Sequence, residues 1–114
     1  MKPQSAKAKG RNLQKLVVSK ILELFPWLKE DDVNSRSMGA GGEDILLSPF
    51  ARKSLPLSFE CKNTERINLW NAYDQAKSNS KGFESVLVVK RNRMHPLAVV
   101  SLDYFLNLHR VEHE

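Results

Sequence analysis

One cysteine, Cys61, in 114 residues excludes an intrachain disulfide. Three scattered histidines, His95, His109 and His113, show no ligand spacing, so a structural zinc cluster is excluded too. Long apolar runs are missing, and no stretch approaches the roughly 20 residues that a membrane-spanning helix needs. The basic N-terminus is not followed by an apolar segment with a small-residue cleavage site, so no secretory leader is expected. These absences together predict a chain of the reducing cytoplasm that needs no membrane. Acidic residues are absent from the start of the chain: Lys2, Lys7, Lys9, Arg11, Lys15 and Lys20 all precede Glu23.

Hydrophobic residues make up 41% of the chain, enough for the core of one domain. Eighteen Lys and Arg against thirteen Asp and Glu give a formal charge of +5, which favours polyanionic partners through phosphate contacts. The basic N-terminus fits either a solvated arm or an arm that grips DNA with Lys7, Lys9 and Arg11. Residues 1–8 lack periodicity and are expected to form a flexible basic tail, leaving 9–114 as a single domain.

Leu13, Leu16, Val17, Ile21 and Leu24 fall on one helical stripe, predicting a helix from Lys9 to Phe25 that Pro26 ends. Trp27 is then placed to cap the core. The polar segment from Asp31 to Ser37 is expected to be a strand. Met38 to Gly42, with three glycines in four positions, is expected to be a loop. Glu43 to Leu47 predicts a short strand, Ser48 to Ser54 a loop, and Leu55 to Lys62 a clear strand by alternation. A turn over Asn63–Glu65 leads to a helix over Ile67–Ser78, with Leu69, Ala72, Tyr73 and Ala76 as its buried stripe. Lys81-Gly82 ends that unit. The valine-rich Glu84–Lys90 is the strongest strand signal. A basic turn over Arg91–His95, a strand over Pro96–Ser101 and a short helix capped by Ser101 complete an α-β-β-β-α-β-β-α order.

Chemistry concentrates in Gly42-Glu43-Asp44 and Phe59-Glu60-Cys61-Lys62-Asn63. Glu60 and Lys62 lie two apart on a strand and share a face, while Cys61 points to the other. Asp44 opens the neighbouring strand and meets Glu60 if the two strands pair as a hairpin. Two carboxylates and the Cys61 backbone carbonyl form an all-oxygen set suited to Mg²⁺, with Mn²⁺ as substitute. A cation there acidifies a bound water and neutralises charge on a phosphate. Lys62 can position or deprotonate the attacking water, or stabilise the phosphorane. An isolated Glu-x-Lys is usually a surface pair; the glycine loop before Asp44, the strand–loop–strand arrangement and the following helix set this one apart.

The element order, with an acidic residue on the second strand and Glu-x-Lys on the third, resembles the PD-(D/E)XK nuclease superfamily. More narrowly, KGRNLQKLV, SRSMGAGGEDILLSP, FECKN and LWNAYDQAKSN are similar to small phage-encoded nucleases related to Holliday junction resolvases. The resemblance covers about Lys9 to Leu108. It implies an α/β, restriction-endonuclease-like αβββαβ core, a mixed central sheet flanked by helices. It further implies Asp44 and Glu60 as metal ligands, Lys62 as the catalytic lysine and Gln75 as a glutamine near the site. Arg36 and Ser37 match a segment placed near substrate, and Asn63 follows the lysine at the substrate edge. Archaeal resolvases carry a glutamate four residues after a Lys-Gly pair; at that offset this chain has Gln14, a neutral candidate ligand. The implied activity is metal-dependent hydrolysis of DNA, branched or duplex, by a homodimer in a bacterial host cell. Trp70 is expected in a helix-packing or dimer contact, or stacked on a base. The alternatives are a duplex-nicking endonuclease or nuclease subunit with the same site, and a catalytically silent DNA-binding protein on the same fold.

Overall fold

A computed structural model describes residues 5–37 and 41–110. The first helix, α1, runs from Ala6 to Leu24, and the Ser5 hydroxyl caps it by accepting from the Ala8 amide. The flexible tail expected over 1–8 is therefore corrected: residues 1–4 lie outside the described part, and the helix already includes 6–8. Lysine and alanine without an apolar stripe give no periodic signal, so only the serine cap marks this helix start. Helical structure stops before Pro26, whose ring disfavours the helical conformation at Phe25. Leu24, expected on the buried stripe, is exposed, and so is half of Trp27. Trp27 instead meets Phe25 edge-on and donates its indole N–H to the Ser54 hydroxyl at 2.9 Å.

After a single 3-10 turn at Glu30–Asp32 come β1 (Val33–Ser35) and β2 (Ile45–Leu47), an antiparallel pair in the register Asn34 to Leu46. The expected strands here were longer. The acidic run closes into the turn because the Asp32 carboxylate accepts from the Lys29 amide and the Ser48 hydroxyl. Both bonds hold the Asp32 pKa below its ordinary value, the Ser48 bond most. Ser48–Ser54, expected to be a loop, is a helix: α2 spans Pro49–Ser54. Ser48 caps it and Pro49 stands in its first turn, a pairing that fits the fixed φ and missing N–H of proline to a helix start.

The second sheet is mixed. β3 (Leu57–Asn63) pairs in parallel with β4 (Glu84–Lys90), which pairs antiparallel with β5 (Leu97–Val99). α3 (Leu69–Ser78) forms the β3–β4 crossover, and α4 (Leu102–Leu108) follows β5 with Ser101 as its cap. β5 is three residues long, shorter than the expected Pro96–Ser101.

Helices flank this sheet. Leu13, Val17 and Ile21 of α1 share one core cluster with Phe59, Cys61, Val86 and Val88. The alternate residues, including Glu60, Lys62 and Leu87, face α3, whose buried Ala72 and Ala76 allow a close approach. Among the described residues no helix is long and apolar enough to cross a membrane.

Candidate active site

Asp44 reaches the third strand without a continuous hairpin. Its amide donates to the Phe59 carbonyl at 2.9 Å, and its carboxylate Oδ2 accepts from the Cys61 amide at 2.7 Å. Its own carbonyl accepts from the Arg36 amide at 2.8 Å. Asp44 is thus clamped on both sides at the junction of two sheets that share no continuous strand ladder. The clamp holds its carboxyl near Glu60, whose pKa the Asp44 charge raises.

Gly42 makes the approach to Asp44 possible. Its φ of +98° is left-handed, and a Cβ there would meet the Arg36 guanidinium at 3.3 Å. Arg36 in turn donates through Nε to the Glu43 carbonyl. Arg36, expected at a DNA surface, is therefore half-buried and braces the loop, while its charge lies close enough to favour ionised Asp44. Ser37 is exposed; Met38–Ala40 of the glycine loop lie outside the described residues.

Glu43, beside Asp44, is buried and pairs with Arg52 of α2. Arg52 also donates to the Leu57 carbonyl at 2.8 Å and lies over the Phe83 ring at 4.1 Å. One guanidinium ties α2, the approach to Asp44 and the start of β3 together. A loop was expected where α2 stands, so nothing in the sequence marked Arg52 for this role.

Glu60 is 6% exposed, and its Oε2 accepts from the Asn79 side chain at 3.3 Å. Burial raises its pKa most, and the neighbouring Asp44 charge raises it further. Burial also raises the pKa of Asp44, against the lowering pull of the Cys61 amide and of Lys62. Two carboxyls forced together in a partly dry place are satisfied by a shared proton or by a cation. Asn79 was missed in the sequence; its signal was the spacing from Gln75, four residues along the helix and so on the same face.

Lys62 follows on the same strand face as Glu60, half-buried, and Gln75 is exposed. Both line a cleft of about 250 Å³ together with Thr64, Arg66, Asn68 and Asn71. The structure therefore brings Asp44, Glu60 and Lys62 together, and Gln75 shares the Lys62 cleft. Cys61 turns its thiol into the core, where burial raises its pKa strongly, which leaves only its backbone to face the site.

Gln14 is 5% exposed, and among the described residues its Oε1 accepts no hydrogen bond. The helix that carries it covers the face of Phe59 and Cys61, opposite the one Glu60 presents. Asn63 ties the end of β3 to α1, donating to the Lys9 carbonyl at 2.9 Å. That amide N–H is not offered to solvent. Lys9 lines a second cleft with Asn63 and Lys90, so cations gather at the carboxyl ends of the parallel strands. Lys7 and Arg11 are exposed on the first turns of α1.

Among the described residues, no three His, Cys, Asp or Glu side chains are grouped to hold a metal ion. Asp44 and Glu60 supply two oxygens of charge, and backbone carbonyl and water would supply the rest. Such a set suits Mg²⁺, which keeps much of its water and is bound through one or two carboxylates, and does not suit zinc. Comparison with known protein families, with characterised proteins and with solved structures finds no match for this chain.

Proposed function

We propose that this chain is a Mg²⁺-dependent DNA endonuclease on a restriction-endonuclease-like core. The observation that carries the reading is the clamped Asp44 carboxylate beside Glu60, with Lys62 next on the same strand face. Asp44, Glu60 and the Cys61 carbonyl would hold the cation, which supplies charge neutralisation and a water acidic enough to attack at neutral pH. Asn79 orients Glu60 from behind, and the Cys61 amide orients Asp44. The Lys62 ammonium offers a fixed positive charge to the negative charge that builds on phosphorus oxygens during attack. Gln75, on the wall of the same cleft, offers one acceptor and two donors without adding charge. The positive ends of β3 and β4, with Lys9 and Lys90, hold the polyanion. Pure protein with Mg²⁺ should cut labelled four-way junction, flap or duplex DNA and lose that activity in EDTA. Intact DNA in all three forms would refute the reading.

A structure-selective, resolvase-like action by a homodimer is the form of this activity that we infer. Not one residue of α4 is buried, yet Leu102, Phe105, Leu106 and Leu108 are large, apolar and exposed. A seven-residue helix is not stable by itself, so this face needs a cover. Leu97 of edge strand β5 is 66% exposed, and Trp70 is 77% exposed. Trp70, expected in a helix-packing or dimer contact or stacked on a base, lines a groove with Leu69, Tyr73 and Val99–Ser101. Two copies related by a twofold axis would present two sites to a twofold-symmetric junction. Light scattering should give a dimer, and Trp70→Glu or Phe105→Glu should weaken it by roughly 30-fold or more, as for the loss of an interface hot spot. A monomeric mass for the wild type would leave a nicking enzyme in place of a resolvase.

A further inference from the structure

α3 carries amides at Asn71, Gln75 and Asn79, spaced four residues apart and therefore in one row along the helix. The last of them is bonded to Glu60, and the other two line the cleft that opens from Lys62. Arg66, exposed on the β3–α3 connection, lines the same cleft; the Thr64 hydroxyl fixes that connection by donating to the Arg66 carbonyl at 2.6 Å. Among the described residues neither the Arg66 guanidinium nor the side chains of Asn71 and Gln75 make a hydrogen bond. The cleft therefore combines two cations with neutral donors and has no carboxylate on its walls. That composition matches a phosphodiester and mismatches a metal ion, which the carboxylate pair next to it would take.

We propose that this cleft is the binding subsite for one backbone phosphate flanking the bond that is cut, with Arg66 and Asn71 as its positioning residues. The inference rests on the endonuclease reading, since it places the flanking phosphate by reference to Glu60 and Lys62. Arg66 supplies the charge. Asn71 donates from the first turn of α3, one helical turn from Gln75, so a strand lying in the cleft is led toward the carboxylate pair. Neutral amides along that path keep the strand from being held by charge too far from Glu60.

The test uses the full chain and an oligonucleotide carrying neutral methylphosphonate at one position at a time. Affinity is read by anisotropy in Ca²⁺, and cleavage of the unmodified strand in Mg²⁺. Arg66→Ala and Asn71→Ala should each weaken binding 5- to 10-fold and raise KM with kcat near that of the wild type. For Arg66→Ala the log–log salt slope should fall by about 0.9, one phosphate contact. Methylphosphonate at a single position should weaken the wild type by a similar factor and Arg66→Ala no further, the signature of a shared contact. Lys53→Ala, which removes an exposed charge outside the cleft, should change neither affinity nor slope. Equal losses for Lys53→Ala and Arg66→Ala, or losses that add at every modified position, would overturn the subsite. Weakened binding by Arg66→Ala with no cleavage by the wild type would keep the subsite as a DNA contact and remove the nuclease reading. Cleavage with unaltered binding by both variants would do the reverse.

Discussion

Replacing Asp44 or Glu60 with alanine is expected to lower the cleavage rate by at least 10³-fold while DNA binding in Ca²⁺ stays within a few-fold. Each carboxylate supplies half of the charge offered to the cation, and loss of a cation that neutralises the transition state costs several kcal/mol. Neither residue is placed to hold DNA: Glu60 is buried under α3 and Asp44 is tied to the Cys61 amide. Removing a carboxylate also removes repulsion for a polyanion, so binding can tighten. Lys62→Ala should fall between, at about 10² to 10⁴ in kcat, because a positioned acid–base or charge-stabilising group contributes on that scale. The readouts are single-turnover cleavage and anisotropy on the same DNA. Cleavage by both carboxylate variants at near wild-type rates would remove them from the chemistry. Equal loss of binding and cleavage would make them folding residues.

The largest effect on stability is expected from Arg52→Ala, at about 3–5 kcal/mol. Its guanidinium is 16% exposed and its partner Glu43 6%, so truncation leaves a carboxylate in a dry place with no counter-charge. A domain has only about 5–15 kcal/mol to lose, so the variant should be partly unfolded at moderate denaturant. Arg52→Lys should recover only part, since an ammonium cannot bond Glu43 and the Leu57 carbonyl in one plane while covering Phe83. Adding Glu43→Gln to Arg52→Ala should restore more than half, because the unpaired charge is gone. Denaturant midpoints at constant slope measure this. A shift below about 0.5 kcal/mol would make the pair an ordinary surface contact. Among the described residues the second Glu43 oxygen accepts no bond, so the pair is only partly satisfied there.

Strands and helices that carry a clear hydrophobic period were legible in the sequence. Glu84–Lys90 is rich in valine and forms where expected, and α1 carries apolar residues three and four apart and forms with its start moved to Ala6. The pair proposed for the candidate site stood out in the sequence for a related reason. Two charged side chains, Glu60 and Lys62, on an otherwise apolar strand violate its pattern, and such violations collect at functional positions. What escaped were features set by tertiary contact. α2 has six residues and one buried position, Ala51, too few for a helical stripe to show, and only Ser48-Pro49 marked its start. Asp44 was expected to meet Glu60 through a hairpin, but the contact comes from two bonds made by one residue across separate sheets. Side-chain burial was less legible still. Trp70 and Leu24 are apolar yet exposed in the fold, whereas Asn63 is polar and spends its amide on Lys9. The general reason is that period reports the face of an element, whereas exposure depends on which neighbour covers that face.

The proposed chemistry requires a divalent cation between Asp44 and Glu60, and Mn²⁺ binding followed by electron paramagnetic resonance tests it most directly. One ion per chain should bind, Mg²⁺ should displace it, and Asp44→Ala or Glu60→Ala should weaken it at least 10-fold. Protons and the cation compete for the same carboxyls, both held above their ordinary range, so affinity should rise as pH rises through that raised range. Mn²⁺ that stays free at millimolar concentration, or binds both variants as tightly as the wild type, would contradict a metal-dependent site at this carboxylate pair.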